Sequence, residues 1–340
     1  MTNDLMDEEQ STGPGELRYG RPNGDFAAYD DLPSLPGTDE HYSWHVWGAG
    51  DQIGTMNRLT SETVLEARNS IVTGEVVSLS LPLDEPKPGL FEGREPYQRH
   101  EVRTNTGRED RINNLDLQFS SQWDGLRHIE HRIAGYYGGR DDAELDAGAL
   151  GIQHLAARGI VARGVLLDVP AYYAATGRPY SADVRTALDP ADVEGILAHQ
   201  DVDLRYGDIL VIRTGWIDWY LSLTDQKRAS LRGTVRRGEG GIECAGLRGN
   251  IAMARWLWNS GLAGVASDNA TVEALPVTRE DGFLHRRVLP LLGMPFGELW
   301  SLRELSARCW AAGRYSFLLT SAPLNIPAGV ASPANALAIL

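Results

Sequence analysis

The residues best suited to chemistry lie in Gln118-Phe-Ser-Ser-Gln122-Trp-Asp124-Gly-Leu-Arg-His128, where two amides, a carboxylate and an imidazole sit beside small residues. Asp124 offers a group that stays ionised and can bind a cation or orient a nucleophile, and His128 offers one that titrates near neutral pH. Carboxylate and imidazole at this spacing could share a reacting proton. Gln118, Gln122 and Asp124 recur at even spacing, so an extended segment would turn all three to one side, toward a metal or a polar substrate. The spacing also fits a hydrogen-bonded structural pair at a turn. Neutral amides can ligate a hard cation, but less strongly than imidazole or carboxylate.

Further candidates follow along the chain. His131, three residues after His128, would lie on the adjacent turn of a helix, but Gly135-Tyr136-Tyr-Gly-Gly breaks regular structure and no HExxH pattern is present. Asp268 directly follows the apolar run Gly264-Val-Ala-Ser267, and ligands gather at the carboxyl ends of strands in open α/β sheets; capping the next turn would explain it equally well. Glu273 reads as a surface residue or one behind the site. His285 and Glu298 flank an apolar segment containing Leu-Leu-Gly, a turn that could deliver Glu298 to a defined place, although a solvent-facing pair also fits. Trp44, Trp47, Trp123 and Trp216 read first as packing residues, with Trp123 and Tyr136 retained as substrate-binding candidates alongside Gln118, Gln122 and Asp268.

The elements that must position these residues alternate. Thr60 or Ser61 opens a helix, and 75–81 reads as a strand. The β-branched runs 159–170 and 206–215 read as buried strands, separated by a helix that Asp189-Pro190 begins. A helix over 245–260 and a short strand over 264–267 complete an α/β pattern. Residues 1–40, rich in Gly, Pro, Asp and Glu, are expected to form a flexible arm, and 41–340 a single catalytic domain.

A chain of 340 residues that is 42% hydrophobic can bury a substantial core. Its net charge of -14 argues against nucleic acid or an anionic membrane as partner, because phosphate binding needs clustered Lys and Arg. Cys244 and Cys309 are far apart and outside any CxxC pattern, so buried, reduced thiols are expected rather than a disulfide or a cysteine zinc site. The acidic start lacks a secretory pattern and no apolar run is long enough to span a bilayer, which together predict a cytoplasmic protein.

In their order, Trp47-Gly-Ala-Gly-Asp-Gln-Ile-Gly-Thr-Met-Asn57, the Asp124 loop, 164–170, 207–216, 267–273, 285–298, Ala322-Pro-Leu-Asn-Ile and Ser332-Pro-Ala-Asn-Ala-Leu-Ala-Ile resemble the cyclase family. That family includes bacterial kynurenine formamidases and isatin hydrolases, and the likeness runs from about Trp47 to the C-terminus. It implies an α/β protein with a compact β/β/α fold and a mixed sheet, assembled as a homodimer or homotetramer and acting on a small-molecule substrate. Against the family signature HxGTHxDxPxH, Asp124 matches the metal-bridging carboxylate and His128 the catalytic acid or base. Gln118 and Gln122 fall on the two metal-binding histidines, and Ser120, Ser121 and Leu126 replace Gly, Thr and Pro. His285 and Glu298 resemble the downstream pair that completes the metal shell or assists the attacking water.

The resemblance implies one divalent ion, zinc or manganese, on Gln118, Gln122 and Asp124; exchanging imidazoles for amides weakens such binding, so a metal-free site is the alternative. Asp124, His128, His285 and Glu298 remain as an acid-base set. The expected enzyme cleaves an amide or ester, or opens or closes a ring. Metal-independent cyclisation, dehydration or isomerisation is the second expectation, and a ligand-binding relic without catalysis the third.

Overall fold

The computed structural model describes residues 26–234 and 241–340. Its strands are β1 (Val76–Ser78), the hairpin β2 (Gln98–Arg103) and β3 (Arg108–Asn113), β4 (Gln122–Asp124), β5 (Ile160–Asp168), β6 (Ala187–Leu188) and β7 (Ile209–Arg213). Then come β8 (Gly246–Leu247), β9 (Gly264–Ser267), β10 (Phe296–Glu298), β11 (Ser316–Ser321), β12 (Ala331–Pro333) and β13 (Ala336–Ile339). Nine of these form one sheet in the order β1-β13-β11-β5-β7-β9-β10-β4-β12. Neighbours among β5, β7, β9 and β10 run parallel, and the flanking pairs run antiparallel. The chain is therefore an α/β protein with a mixed sheet, as expected.

The central strands are apolar on both sides because both faces are covered. Val165, Leu167, Leu210, Ile212 and Val265 belong to a core shared with the helices Pro190–His199 and Ile251–Asn259. Leu166, Val211, Ala266, Trp123 and Trp300 belong to a second core that includes Leu305 and Cys309 of the helix Arg303–Ala312. Helix starts follow the caps read from the sequence: Thr60 accepts from the Thr63 amide, and Asp189 and Asp192 form a reciprocal capping box. Both cysteines are buried and free.

Three expectations need revision. The helix expected from 245 begins at Ile251, where the Asn250 side chain accepts from the Met253 amide, while Gly246–Leu247 pairs in parallel with Ala187–Leu188. The strand expected over 75–81 shortens to β1. The boundary at residue 41 falls inside packed structure: Tyr29, Leu32 and Leu35 are buried, the Tyr29 amide donates to Asn259 Oδ1, and Trp258 Nε1 donates to the Ala27 carbonyl. Composition misleads there because a few well-spaced apolar anchors suffice to dock a Pro-rich segment. Glu40 secures its end, ion-paired with Arg287 Nε at 2.8 Å and lying 3.0 Å from His131 Nε2. Among the described residues, no helix is long and apolar enough to cross a membrane.

The conspicuous stretch around Asp51 and Asn57 is scaffolding. Asp51 accepts from the Gly54 amide, Asn57 Nδ2 and the Tyr137 hydroxyl, and the Thr55 amide bonds the Gly293 carbonyl at 2.8 Å. Arg58 is fully buried, donates to the Leu262 and Trp258 carbonyls, and lies 4.3 Å over the Trp258 ring. Gly54 has φ +55°, and a Cβ there would stand 1.9 Å from the Gly293 carbonyl oxygen. Gly54→Ala should therefore cost about 3 kcal/mol or more, whereas Gly50→Ala, with nothing within 4 Å of its Cβ, should stay within about 0.5 kcal/mol. Urea unfolding midpoints of the two variants check this contrast.

Candidate active site

Strand register builds the site. β4 lies between β10 and β12, and Gln122 faces Glu298 while Asp124 faces Phe296 across the antiparallel pair. Residues directly opposite share a face, and so do residues two apart, so Gln122, Asp124 and Glu298 all emerge on the same side. Trp123 emerges on the other side. It is fully buried, meets Trp300 edge-on at 5.2 Å and donates from Nε1 to Ser321 Oγ. Its sequence assignment as a substrate-binding residue is corrected by that alternation.

His285 arrives from the short helix Leu284–Arg287 and is also buried. Its Nε2 lies 3.1 Å from Glu298 Oε1 and 3.9 Å from Asp124 Oδ2, and its Nδ1 lies 2.6 Å from Glu273 Oε1. Phe283 stacks on the ring at 5.0 Å. Burial opposes a charge on this imidazole, but hydrogen bonds to Glu273 and Glu298 outweigh it and raise the pKa. Burial, reinforced by the nearby Asp124 charge, raises the Glu298 pKa in turn.

Glu273, read from the sequence as a surface residue or one behind the site, takes the second place and is buried. It accepts the Leu284 amide as well as His285, orienting the ring from behind. Spacing carries no signal for it, because the chain between Asp268 and Glu273 winds around Asn269, whose Nδ2 donates to the Ala245 and Glu273 carbonyls. Val272 takes φ 58° in that turn, a costly conformation for a β-branched residue that the surrounding bonds hold in place.

His128 completes the group. Its Nε2 lies 3.7 Å from Asp124 Oδ2, and its side chain retains 19% exposure while that of Asp124 has none. Gln118 reaches in from the turn before β4, donating from Nε2 to Asp124 Oδ1 and lying 3.1 Å from His128 Nδ1. Gln122 Nε2 donates to Glu298 Oε2 at 2.8 Å. Thus Gln118, Gln122, Asp124, His128, His285 and Glu298 converge, but the extended segment expected to carry Gln118, Gln122 and Asp124 holds only the last two.

The other candidates lie elsewhere. Asp268 is buried with its carboxylate saturated by Thr214 Oγ1 and the Thr214 and Gly215 amides, so it anchors the turn after β7. Tyr136 packs with Leu126, Leu145 and Leu150. His131 meets Glu40 and forms no helical pair with His128.

Asp124, His285 and Glu298 each present a ligand atom, all within 4.8 Å of one another. Asp124 Oδ2 and Gln122 Oε1 are buried without any hydrogen-bond partner. Two carboxylates, one imidazole and an amide oxygen form a donor set suited to a divalent cation, and the orphaned oxygens fit that occupant. The centre differs from the set expected from the sequence: Asp124 stays in it, Gln122 offers Oε1 while its NH2 faces Glu298, Gln118 turns its NH2 toward Asp124 instead, and His285 and Glu298 join.

Known proteins resemble this chain in sequence and fold over most of its length. The family described as "Putative cyclase" matches residues 77–274. A solved structure described as a novel cyclase is 32% identical, covering 88% of this chain and 97% of its own, with a TM-score of 0.76. Isatin hydrolase A from Labrenzia aggregata, bound to benzyl benzoate, is 16% identical over 83% of this chain and 99% of its own, TM-score 0.57. Isatin hydrolase A from Ralstonia solanacearum is 18% identical over 83% and 97%, TM-score 0.54. No curated protein matches. The family match spans more than half of the sequence, and the 32% identical structure covers most of the chain, so the chain belongs to the cyclase family.

Proposed function

We propose that this cyclase-family protein hydrolyses an amide, lactone or related bond of a small organic molecule at the Asp124–His128 site. The observation that carries the reading is one oxygen: Asp124 Oδ2, buried and unpartnered, stands 3.7 Å from His128 and 3.9 Å from His285. A carboxylate in that position can hold water against a reacting carbonyl while the neighbouring imidazole moves the proton. The isatin hydrolases described above are hydrolases on the same fold, which favours hydrolysis among the reactions these residues allow.

Among the described titratable residues of the cluster His128 keeps the largest exposed edge, which suits a proton carrier. It takes a proton from the attacking water as the new C–O bond forms and returns it to the departing nitrogen or oxygen as the old bond breaks. Asp124 steadies the imidazolium between these events, and Gln118 holds both partners in register. Glu273 fixes the His285 ring, and Gln122 fixes Glu298. A divalent cation held by Asp124, His285 and Glu298, with Gln122 Oε1 beside them, would supply positive charge that acidifies water and polarises a carbonyl. Oxygen-rich ligation favours manganese over zinc.

A second reading, metal-independent cyclisation, dehydration or isomerisation, draws on the glutamine NH2 groups that face the carboxylates where a cation would otherwise balance their charge. Chelation separates the two. Dialysis against EDTA should abolish amide or lactone hydrolysis, and added manganese should restore it; undiminished activity in protein shown to be metal-free favours the second reading. His128→Ala should lower kcat by about 10²–10⁴-fold with the thermal midpoint unchanged. Steady-state kinetics alongside thermal denaturation checks this, and wild-type kcat in that variant removes His128 from the mechanism.

A further inference from the structure

Arg94 stands beside the site. Its Nη1 donates at 2.8 Å to the backbone oxygen of Gln118, the residue whose side chain bridges Asp124 and His128. The guanidinium lies 4.3 Å over the Phe91 ring, which fixes its plane. The side chain is partly buried, so it is not an ordinary solvated surface charge. Among the described residues no carboxylate comes within ion-pair distance of Arg94, whereas Arg163, Arg185, Arg213, Arg248 and Arg287 all have one.

We propose that Arg94 selects substrates that carry a free carboxylate, pairing with that group at the mouth of the site while the scissile bond lies against Asp124 and His128. The proposal rests on the reading of that site as catalytic. A planar fork of N–H groups matches a carboxylate, and a half-buried, pre-oriented fork matches it better than a mobile one. An anionic substrate must otherwise enter a region where Asp124, Glu273 and Glu298 are buried, in a chain whose net charge is -14. A cation at the mouth offsets that field for an incoming anion. The substrate class is therefore a small organic acid bearing a separate amide or ester bond, with the two groups far enough apart to reach Arg94 and His128 together.

A purely structural Arg94 would pin the loop before β4 to Gln118, and its loss would harm charged and neutral ligands alike. Isothermal titration of benzoate and of benzamide into the full-length wild type, Arg94→Gln and Arg94→Lys distinguishes the roles. Wild type should bind benzoate more tightly than benzamide. Arg94→Gln should lose benzoate affinity about tenfold or more with benzamide within about twofold of wild type, and Arg94→Lys, which keeps the charge without the fork, should fall between. If Arg94→Gln does not fold, the lysine variant carries the comparison at an unchanged thermal midpoint. Absence of benzoate binding to wild type, equal binding of the two probes, or equal weakening of both in the variant overturns the proposal. Turnover of neutral amides without benzoate preference would sink Arg94 and leave hydrolysis standing; benzoate preference without turnover across an amide and lactone panel would do the reverse.

Discussion

Negative charge buried around one imidazole is the constraint on which the rest of this structure depends. Asp124, Glu273 and Glu298 are 0%, 1% and 4% exposed, and all three approach His285. Taking a carboxylate out of water costs several kcal/mol unless hydrogen bonds and opposite charge compensate it. Backbone amides and the imidazole satisfy Glu273, and Gln122 and the same imidazole satisfy Glu298. Asp124 is the exception, with the Gln118 and Gln122 amides on one oxygen and no hydrogen bond on the other. A fold that bears such a cost at one oxygen has a use for it.

Much of the surrounding architecture serves to hold that exception in place. β4 is short but hemmed in by β10 and β12, and Trp123 locks its far side against Trp300 and Ser321. Ser121 ties the same strand outward, accepting the Leu81 amide and donating to the Leu299 carbonyl. Glu298 is followed at once by a left-handed Leu299 whose amide bonds the Asn269 carbonyl, so the loop that delivers Glu273 also fixes the end of β10. Gly54 and Gly293 meet at van der Waals limits and set the turn that leads into β10. Of the acid-base pair, His128 keeps an exposed edge while Asp124 is fully buried.

The sequence made the long, locally determined elements legible. β-branched runs bounded by turn residues marked β5 and β7, and Asp189-Pro190 marked a helix start, because these signals arise from neighbouring residues. Even spacing of Gln118, Gln122 and Asp124 anticipated their convergence, and the family pattern drew in His285 and Glu298. Period-two alternation also carried the information that Trp123 points away, yet an aromatic residue inside a polar cluster was read for its chemistry instead of its parity. Arg94 was beyond reach for a different reason: it meets the site through a loop whose path depends on the Gln118 carbonyl, while Glu273 was legible only as a surface residue or one behind the site, because a turn around Asn269 decides between the two. Docking of residues 26–40 likewise depends on Asn259 and Trp258, far along the chain.

The account turns on what balances the charge at Asp124 Oδ2. Anomalous diffraction from crystals of catalytically active protein, collected above the manganese and zinc absorption edges, reads this directly. The account predicts an anomalous peak bounded by Asp124 Oδ2, His285 Nε2 and the Glu298 carboxylate. Active crystals with no peak there, and with Asp124 Oδ2 closed by a direct protein hydrogen bond, would contradict it.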